Sequence, residues 1–203
     1  MIEVALHGAR VVFTDREQGD VREASGLTAV EALSGRSLAR GSQVHGTVVH
    51  RVSGALEPVE ADGQATARDD VAVMVAVADC LPVAVAGPGG VAMLHAGWRG
   101  LAGGVLEEGV RALREVGATG PLAAVIGPGA RGCCYEVGDE VRATFGETGS
   151  RIDLATIAAR RLAAAGVEQI EDVARCTICD ARYFSHRREG EAAGRQAGVA
   201  WRA

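Results

Sequence analysis

Residues 71 to 98 read Val71-Ala72-Val73-Met74-Val75-Ala76-Val77-Ala78-Asp79-Cys80-Leu81-Pro82-Val83-Ala84-Val85-Ala86-Gly87-Pro88-Gly89-Gly90-Val91-Ala92-Met93-Leu94-His95-Ala96-Gly97-Trp98, with Asp79 the only charged side chain. On hydropathy alone the stretch would suit a membrane span. Pro82, Pro88 and the run from Gly87 to Gly90 interrupt it, and a lone aspartate in mid-bilayer is costly, so it reads as buried strands. Val71 to Val77 is one apolar β-prone run, Pro82 to Ala86 a second and Val91 to His95 a third. Gly87 to Gly90 joins the last two as a tight connection, which makes a central hairpin the expectation.

On either side of this hairpin, Ala9 to Phe13, Thr47 to Val52, Ala123 to Ile126, Ile170 to Cys176 and Gly198 to Trp201 read as further strands. Leu101, Val105, Leu113 and Val116 recur at helical spacing, with Glu107, Glu108, Arg111 and Arg114 on other faces, predicting one amphipathic helix that ends at Gly117. Asp153 is placed to cap another helix with a Leu154, Ile157 and Leu162 stripe, stopped by Gly166. Strands and helices mix without strict βαβ alternation, so the expected class is α+β. No linker, repeat or low-complexity tract divides the sequence, and one domain over 1–203 is expected.

Hydrophobic residues make up 48% of the 203 residues and aromatics only 3%, so the core must be built from small aliphatic side chains. The net charge of −5 argues against a duplex nucleic-acid partner, whose backbone demands a basic face, and points to small molecules instead. All 21 basic residues are arginine, which removes lysine Schiff-base, pyridoxal and P-loop chemistry. The 5 cysteines are odd in number, and Met1 to Arg10 lacks the apolar core of a secretory signal, so reduced thiols in a cytoplasmic protein are expected.

His45, Cys80 and His95 lie at structural punctuation. Cys80 and His95 bracket the hairpin, whose ends return to neighbouring positions, while His45 arrives from elsewhere. Two imidazoles and a thiolate fill three tetrahedral zinc positions and leave a fourth for water or substrate. Spacing leaves the alternative open that His45 is a loop residue and Cys80 a small buried hydrophobe.

The wording of the motifs adds to this. Ser42-Gln43-Val44-His45-Gly46, Ala78-Asp79-Cys80-Leu81-Pro82, His95-Ala96-Gly97-Trp98-Arg99-Gly100, Ile126 to Val137 with Cys133-Cys134-Tyr135-Glu136, and Cys176-Thr177 followed by Phe184-Ser185-His186-Arg187-Arg188 resemble, in this order, the bacterial YfiH-like family. That family has been described as polyphenol oxidase, as purine nucleoside phosphorylase with adenosine deaminase activity, and as peptidoglycan editing factor. The resemblance implies mixed β-sheets layered with helices, similar to the thiol-hydrolase domain of cytotoxic necrotizing factors, and His45, Cys80 and His95 as zinc ligands. Two departures stand out: the chain runs quickly from Phe13-Thr14-Asp15-Arg16 to Gly19 where the family carries a longer segment, and Ala158-Ala159 replaces an Asn-Arg pair. Part of the pocket is therefore expected to differ, and the helix after Asp153 is read as structural.

Other features have plainer readings beside functional ones. Gly127 to Gly132 spells G-x-G-x-x-G, yet no convincing helix follows at once, and a turn that approaches the pocket is expected instead of a dinucleotide site. Cys176-Thr177-Ile178-Cys179 is a solitary C-x-x-C, so Cys176 is assigned to the core. Arg187 and Arg188 are open to two readings, a solvated loop or an anion clamp. Trp98 and Arg99, between strand and helix, suit a phosphate or ribose-linked group. Asp79 could orient a ligand or act as acid or base, its default being a turn residue. His7, His50 and His186 receive no role.

The leading expectation is a zinc enzyme acting on a purine nucleoside, with phosphorolysis implied by the resemblance and deamination the reaction whose zinc chemistry is clearest. Cys80, His45, His95 and Asp79 are its candidate catalytic residues, and Trp98, Arg99, Arg187 and Arg188 its candidates for binding nucleoside and phosphate. A thiol hydrolase, with Cys80 as nucleophile and His95 as base, is the second reading, and a non-catalytic metal-stabilised module the third. Copper chemistry of the laccase type is disfavoured, because it needs about ten imidazoles and the chain has 5 histidines. No membrane partner is expected, and the chain is expected to be a monomer or homodimer.

Overall fold

Both faces of the Val71 run are buried, and that fixes how the layers stack. The computed structural model describes residues 1–54, 56–57 and 59–203. Its strands are β1 Ile2–Leu6, β2 Ala9–Phe13, β3 Ser37–Ser42, β4 Val49–Arg51, β5 Val59–Glu60, β6 Gly63–Thr66, β7 Val71–Val77, β8 Leu81–Gly87, β9 Gly90–Ala96, β10 Ala123–Ile126, β11 Gln169–Asp172 and β12 Gln196–Arg202. Its α-helices are α1 Ala24–Ser34, α2 Trp98–Gly103, α3 Val105–Glu115, α4 Asp139–Phe145, α5 Leu154–Ala164 and α6 His186–Glu189. The class is α+β, as the mixture of elements predicted.

The strands form two six-stranded mixed sheets, ordered β1-β2-β12-β7-β3-β5 and β11-β10-β8-β9-β6-β4. Because successive side chains alternate across a strand, Val71, Val73, Val75 and Val77 face Ala84, Val91, Met93 and Val125 of the second sheet. Ala72 and Met74 face outward instead, where Val30 and Leu27 of α1 cover them with Val199 and Trp201. The far side of the second sheet packs Val83, Val85, Leu94 and Ile126 against Leu101, Leu106, Leu113, Leu154 and Leu162. The order of layers is thus helix, sheet, sheet, helices. A strand buried on both faces reads as a continuous apolar run, which is why this stretch mimics a membrane segment in hydropathy; among the described residues no helix is long and apolar enough to cross a membrane.

Small side chains let the sheets approach closely. A Cβ on Gly198 would lie 2.6 Å from Cβ of Pro82 and 3.1 Å from the Met93 sulfur, so β12 passes where only glycine fits. Truncating a fully buried Leu such as Leu94 would cost about 2–5 kcal/mol, through lost burial and the cavity left behind.

β8 and β9 form the expected hairpin, with Gly87 paired to Gly90 and Gly89 at φ 96°. Pro88 followed by a glycine of positive φ is the pattern of a type II turn. The helix expected from Leu101 to Gly117 is two helices, because Gly104 takes φ 101° and ends α2 before α3 begins. The strand expected through Cys176 stops at Asp172. Ala174 then takes φ 51°, and Cys176 keeps only an isolated bridge to Gly129. Asp153 caps α5 by accepting from the Ala155 amide, and Ala158 is a buried residue of that helix; its first residue, Leu154, reaches the cavity described below. Helices α1, α4 and α6 and strands β1, β3, β5 and β6 were not anticipated.

Candidate functional site

The link between β7 and β8 carries the chain from one sheet to the other, and Cys80 sits in that link. The register of the hairpin places His95 of β9 opposite Pro82, and the loop after β3 brings His45 to the same point. The ligand-type atoms of His45, Cys80 and His95 all lie within 4.8 Å of one another, and the two imidazole rings meet edge to face at 4.9 Å and 67°. His45 has φ 61° and Asp79 φ 85°, left-handed conformations held by the surrounding hydrogen bonds.

Asp62 organises two of the three and was not singled out from the sequence. Its fully buried carboxylate accepts the amides of Val44, His45 and Gly46 at 3.2, 2.9 and 2.7 Å, which fixes the His45 loop. It also lies 2.8 Å from Nδ1 of His95, turning the Nε2 edge of that ring toward Cys80. Burial pushes the Asp62 carboxyl up, but the contacts with His95 and the Gly46 and Val44 amides hold it below the usual range. Burial likewise pushes the Cys80 thiol up; the charge of His95 and hydrogen bonds with His45 and His95 outweigh this and bring it down to about 6. Burial pushes His95 down, and the charge of Cys80 with the hydrogen bond to Asp62 raises it to about 9. The two shifts run in opposite directions and favour a thiolate beside an imidazolium.

These residues fit a metal ion. The donor set is two imidazoles and a thiolate, a buried carboxylate orients one imidazole from behind, as is common around metal-bound histidine, and the floor is cut to size. A Cβ on Gly97 would lie 2.9 Å from the Cys80 sulfur and 2.9 Å from Cδ2 of His45. Glycine at 97 keeps this space free.

The centre opens into a cavity of about 520 Å³, within the size range of small-molecule sites. Of the candidate binding residues, Trp98 and Arg187 line it. The Arg187 guanidinium lies 5.1 Å from the centre of the Tyr135 ring, and Tyr135 is itself a lining residue. Arg99 is exposed and stacks 4.3 Å over Trp98, and it is not among the residues that line the cavity. Arg188 turns away: it donates to the carbonyls of Thr177, Ile178 and Tyr183 at 2.7, 3.0 and 2.5 Å and to Glu189 at 2.6 Å. Asp79 borders the cavity, yet its carboxylate accepts from Thr177 Oγ1 at 2.6 Å, Ser185 Oγ at 3.1 Å and the Arg187 amide at 2.7 Å. It anchors the start of α6, and with it Arg187, through three accepted hydrogen bonds. Gln43, His186, Arg22 and Arg195 also line the cavity; Gln43 and His186 lay inside quoted motifs, whereas nothing in the sequence signalled the two arginines.

Two further segments depart from expectation. The Gly127–Gly132 turn does approach the site, its Ala130 amide bonding the Asp79 carbonyl at 2.7 Å. Cys176, assigned to the core, is only half-buried, and Cys134, Cys133 and Cys179 surround it.

Residues 13–203 match the family model described as multi-copper polyphenol oxidoreductase laccase. A purine nucleoside phosphorylase of Xylella fastidiosa is 39% identical over 187 residues, covering 78% of this chain and 70% of that protein. One from Streptomyces coelicolor is 33% identical over 234 residues, covering 97% and 96%. Among solved structures, a Neisseria meningitidis protein of the DUF152 family superposes with a TM-score of 0.85 at 28% identity, covering 99% of both chains. The Bacillus licheniformis protein YfiH gives 0.80 at 26%, covering 88% of this chain and 80% of that one.

Proposed function

The chain belongs to the multi-copper polyphenol oxidoreductase laccase family, the family of YfiH-like proteins, and from that membership we propose that it is a zinc-dependent enzyme acting on a purine nucleoside with phosphate. The observation that carries the reading is the meeting of His45, Cys80 and His95 at the floor of the cavity. Relatives named purine nucleoside phosphorylase support the substrate class.

Zinc held by these three residues would supply Lewis acidity to a substrate bound in the cavity. The chain's own groups do the rest. Trp98 and Tyr135 offer aromatic faces for a flat base, and Arg187 offers a cation for phosphate. Burial keeps the Tyr135 phenol above its ordinary range, so it remains a hydrogen-bond donor at neutral pH. Asp62 keeps the Nδ1 side of His95 occupied, which leaves Nε2 for the ligand. Deamination of adenosine at the same centre is part of this reading.

Reducing-condition assays with inosine or adenosine, following free base, ribose phosphate and ammonia alongside metal content, test it. Phosphate-dependent base release that disappears in Cys80→Ser together with one equivalent of zinc is the expected result; a protein with zinc bound at His45, Cys80 and His95 yet inert toward these nucleosides refutes it.

One arrangement favours a second reading. Asp62, His95 and Cys80 form a carboxylate–imidazole–thiolate series, the relation expected of a cysteine hydrolase. Fast alkylation of Cys80 in zinc-loaded, active protein would select it.

A further inference from the structure

We propose that the chain holds a second metal ion, of the zinc class, in a tetrathiolate site made by Cys133, Cys134, Cys176 and Cys179. The four sulfurs lie within 4.8 Å of one another. Cys134 is 3.2 Å from both Cys176 and Cys179, and Cys133 is 3.5 Å from Cys134 and 3.6 Å from Cys179. Four thiolates at tetrahedral zinc, each about 2.3 Å from the ion, would stand roughly 3.8 Å apart. The observed separations are close to that edge and well beyond a disulfide bond of about 2.05 Å. A set this tight encloses a single ion and leaves no room for an iron–sulfur cluster.

The backbone is built to bring the cysteines together. Cys133 and Cys134 ride a turn closed by the Cys134 amide on the Arg131 carbonyl at 3.0 Å, and Cys176 to Cys179 form a second turn closed by the Asp180 amide on the Cys176 carbonyl at 3.0 Å. The Gly129–Cys176 bridge docks the two turns side by side, with the Thr177 amide on the Gly129 carbonyl at 3.1 Å. The buried Arg131 guanidinium binds Asp172 and the carbonyls of Gly127 and Arg175 at 2.8, 2.7 and 3.2 Å, and so ties the first turn to the segment that leads into the second. Two sulfurs come from a vicinal pair and two from a C-x-x-C, so neither half is a metal motif alone; only the fold unites them.

The site lies behind the cavity. One turn leads into Tyr135, and the other presents Thr177 to Asp79. An ion here would hold the rear wall of the pocket while touching no substrate, and it is independent of the ion at His45, Cys80 and His95.

Metal content tests this directly. Protein purified in zinc-supplemented, reducing medium is expected to hold two equivalents per chain; the Cys133→Ser/Cys179→Ser double variant should keep one and Cys80→Ser the other one. If the double variant fails to fold, titration of the Cys80→Ser variant with an organomercurial serves instead, and its four thiols should be consumed as its one zinc is released. A single equivalent that vanishes in Cys80→Ser overturns the proposal. So does rapid alkylation of Cys133 and Cys179 with no metal released, or an intact mass showing these cysteines joined as disulfides.

Discussion

The Asp62 carboxylate stands 2.8 Å from Nδ1 of His95 while also accepting the backbone amide of His45 at 2.9 Å. One buried side chain therefore sets both the tautomer of one imidazole and the loop that carries the other. Asp62→Asn keeps the shape but weakens this hold. Zinc affinity is expected to drop about 10- to 100-fold, measured by competition with a chromophoric chelator, with the far-ultraviolet circular dichroism unchanged.

Protonation of the Cys80–His95 pair gives a second test. Because His95 is raised to about 9, its ring is protonated at neutral pH and must lose that proton to bind zinc. Cys80, lowered to about 6, has already lost its own. Zinc uptake at this centre at pH 7.5, measured in the Cys133→Ser/Cys179→Ser double variant, should thus release about one proton, and affinity should rise with pH until the imidazole titrates near 9. Calorimetry in buffers of different ionisation enthalpy counts the proton. Release of two, or affinity rising only below pH 7, would contradict the ion pair.

Gly97→Ala should strike the site without a large loss of fold. Its Cβ meets the Cys80 sulfur and His45 ring at 2.9 Å, and crowding of this kind typically costs about 1–3 kcal/mol. Reduced zinc content and turnover with a modest shift in urea midpoint are expected. Gly54→Ala, where a Cβ meets nothing within 4 Å, is the neutral comparison.

The adjacent arginines should separate. Arg187 faces the cavity, so Arg187→Ala is expected to raise the phosphate requirement by a factor corresponding to about 1.5–3 kcal/mol. Arg188 is bound to three carbonyls, so Arg188→Ala should lower the melting temperature more than it changes phosphate dependence. Unchanged phosphate dependence in both variants removes the clamp.

How far the sequence reached depends on the kind of signal each element carries. The β8–β9 hairpin was legible because proline and glycine punctuate a long apolar run, and the Asp153 cap because a single side chain makes it. The zinc-type triad came from the hairpin and from motif wording together. Asp62 was invisible: its work depends on four hydrogen bonds made across the fold, and nothing local marks it. The break at Gly104 escaped because helical spacing of apolar residues continues through a residue of positive φ. Arg187 and Arg188 are neighbours with the same side chain, and only the carbonyls around Arg188 tell them apart.

The last strand enters the first sheet between β2 and β7, antiparallel to both. Without β12 the facing edges of β2 and β7 have no native partner, so the first sheet is one continuous sheet only through its contribution. Helix α6, which carries Arg187 to the cavity, lies shortly before this strand in the sequence. The second sheet takes no strand from beyond Asp172, so loss of β12 would split the first sheet and disturb the Arg187 side of the pocket while leaving the second sheet's pairing whole.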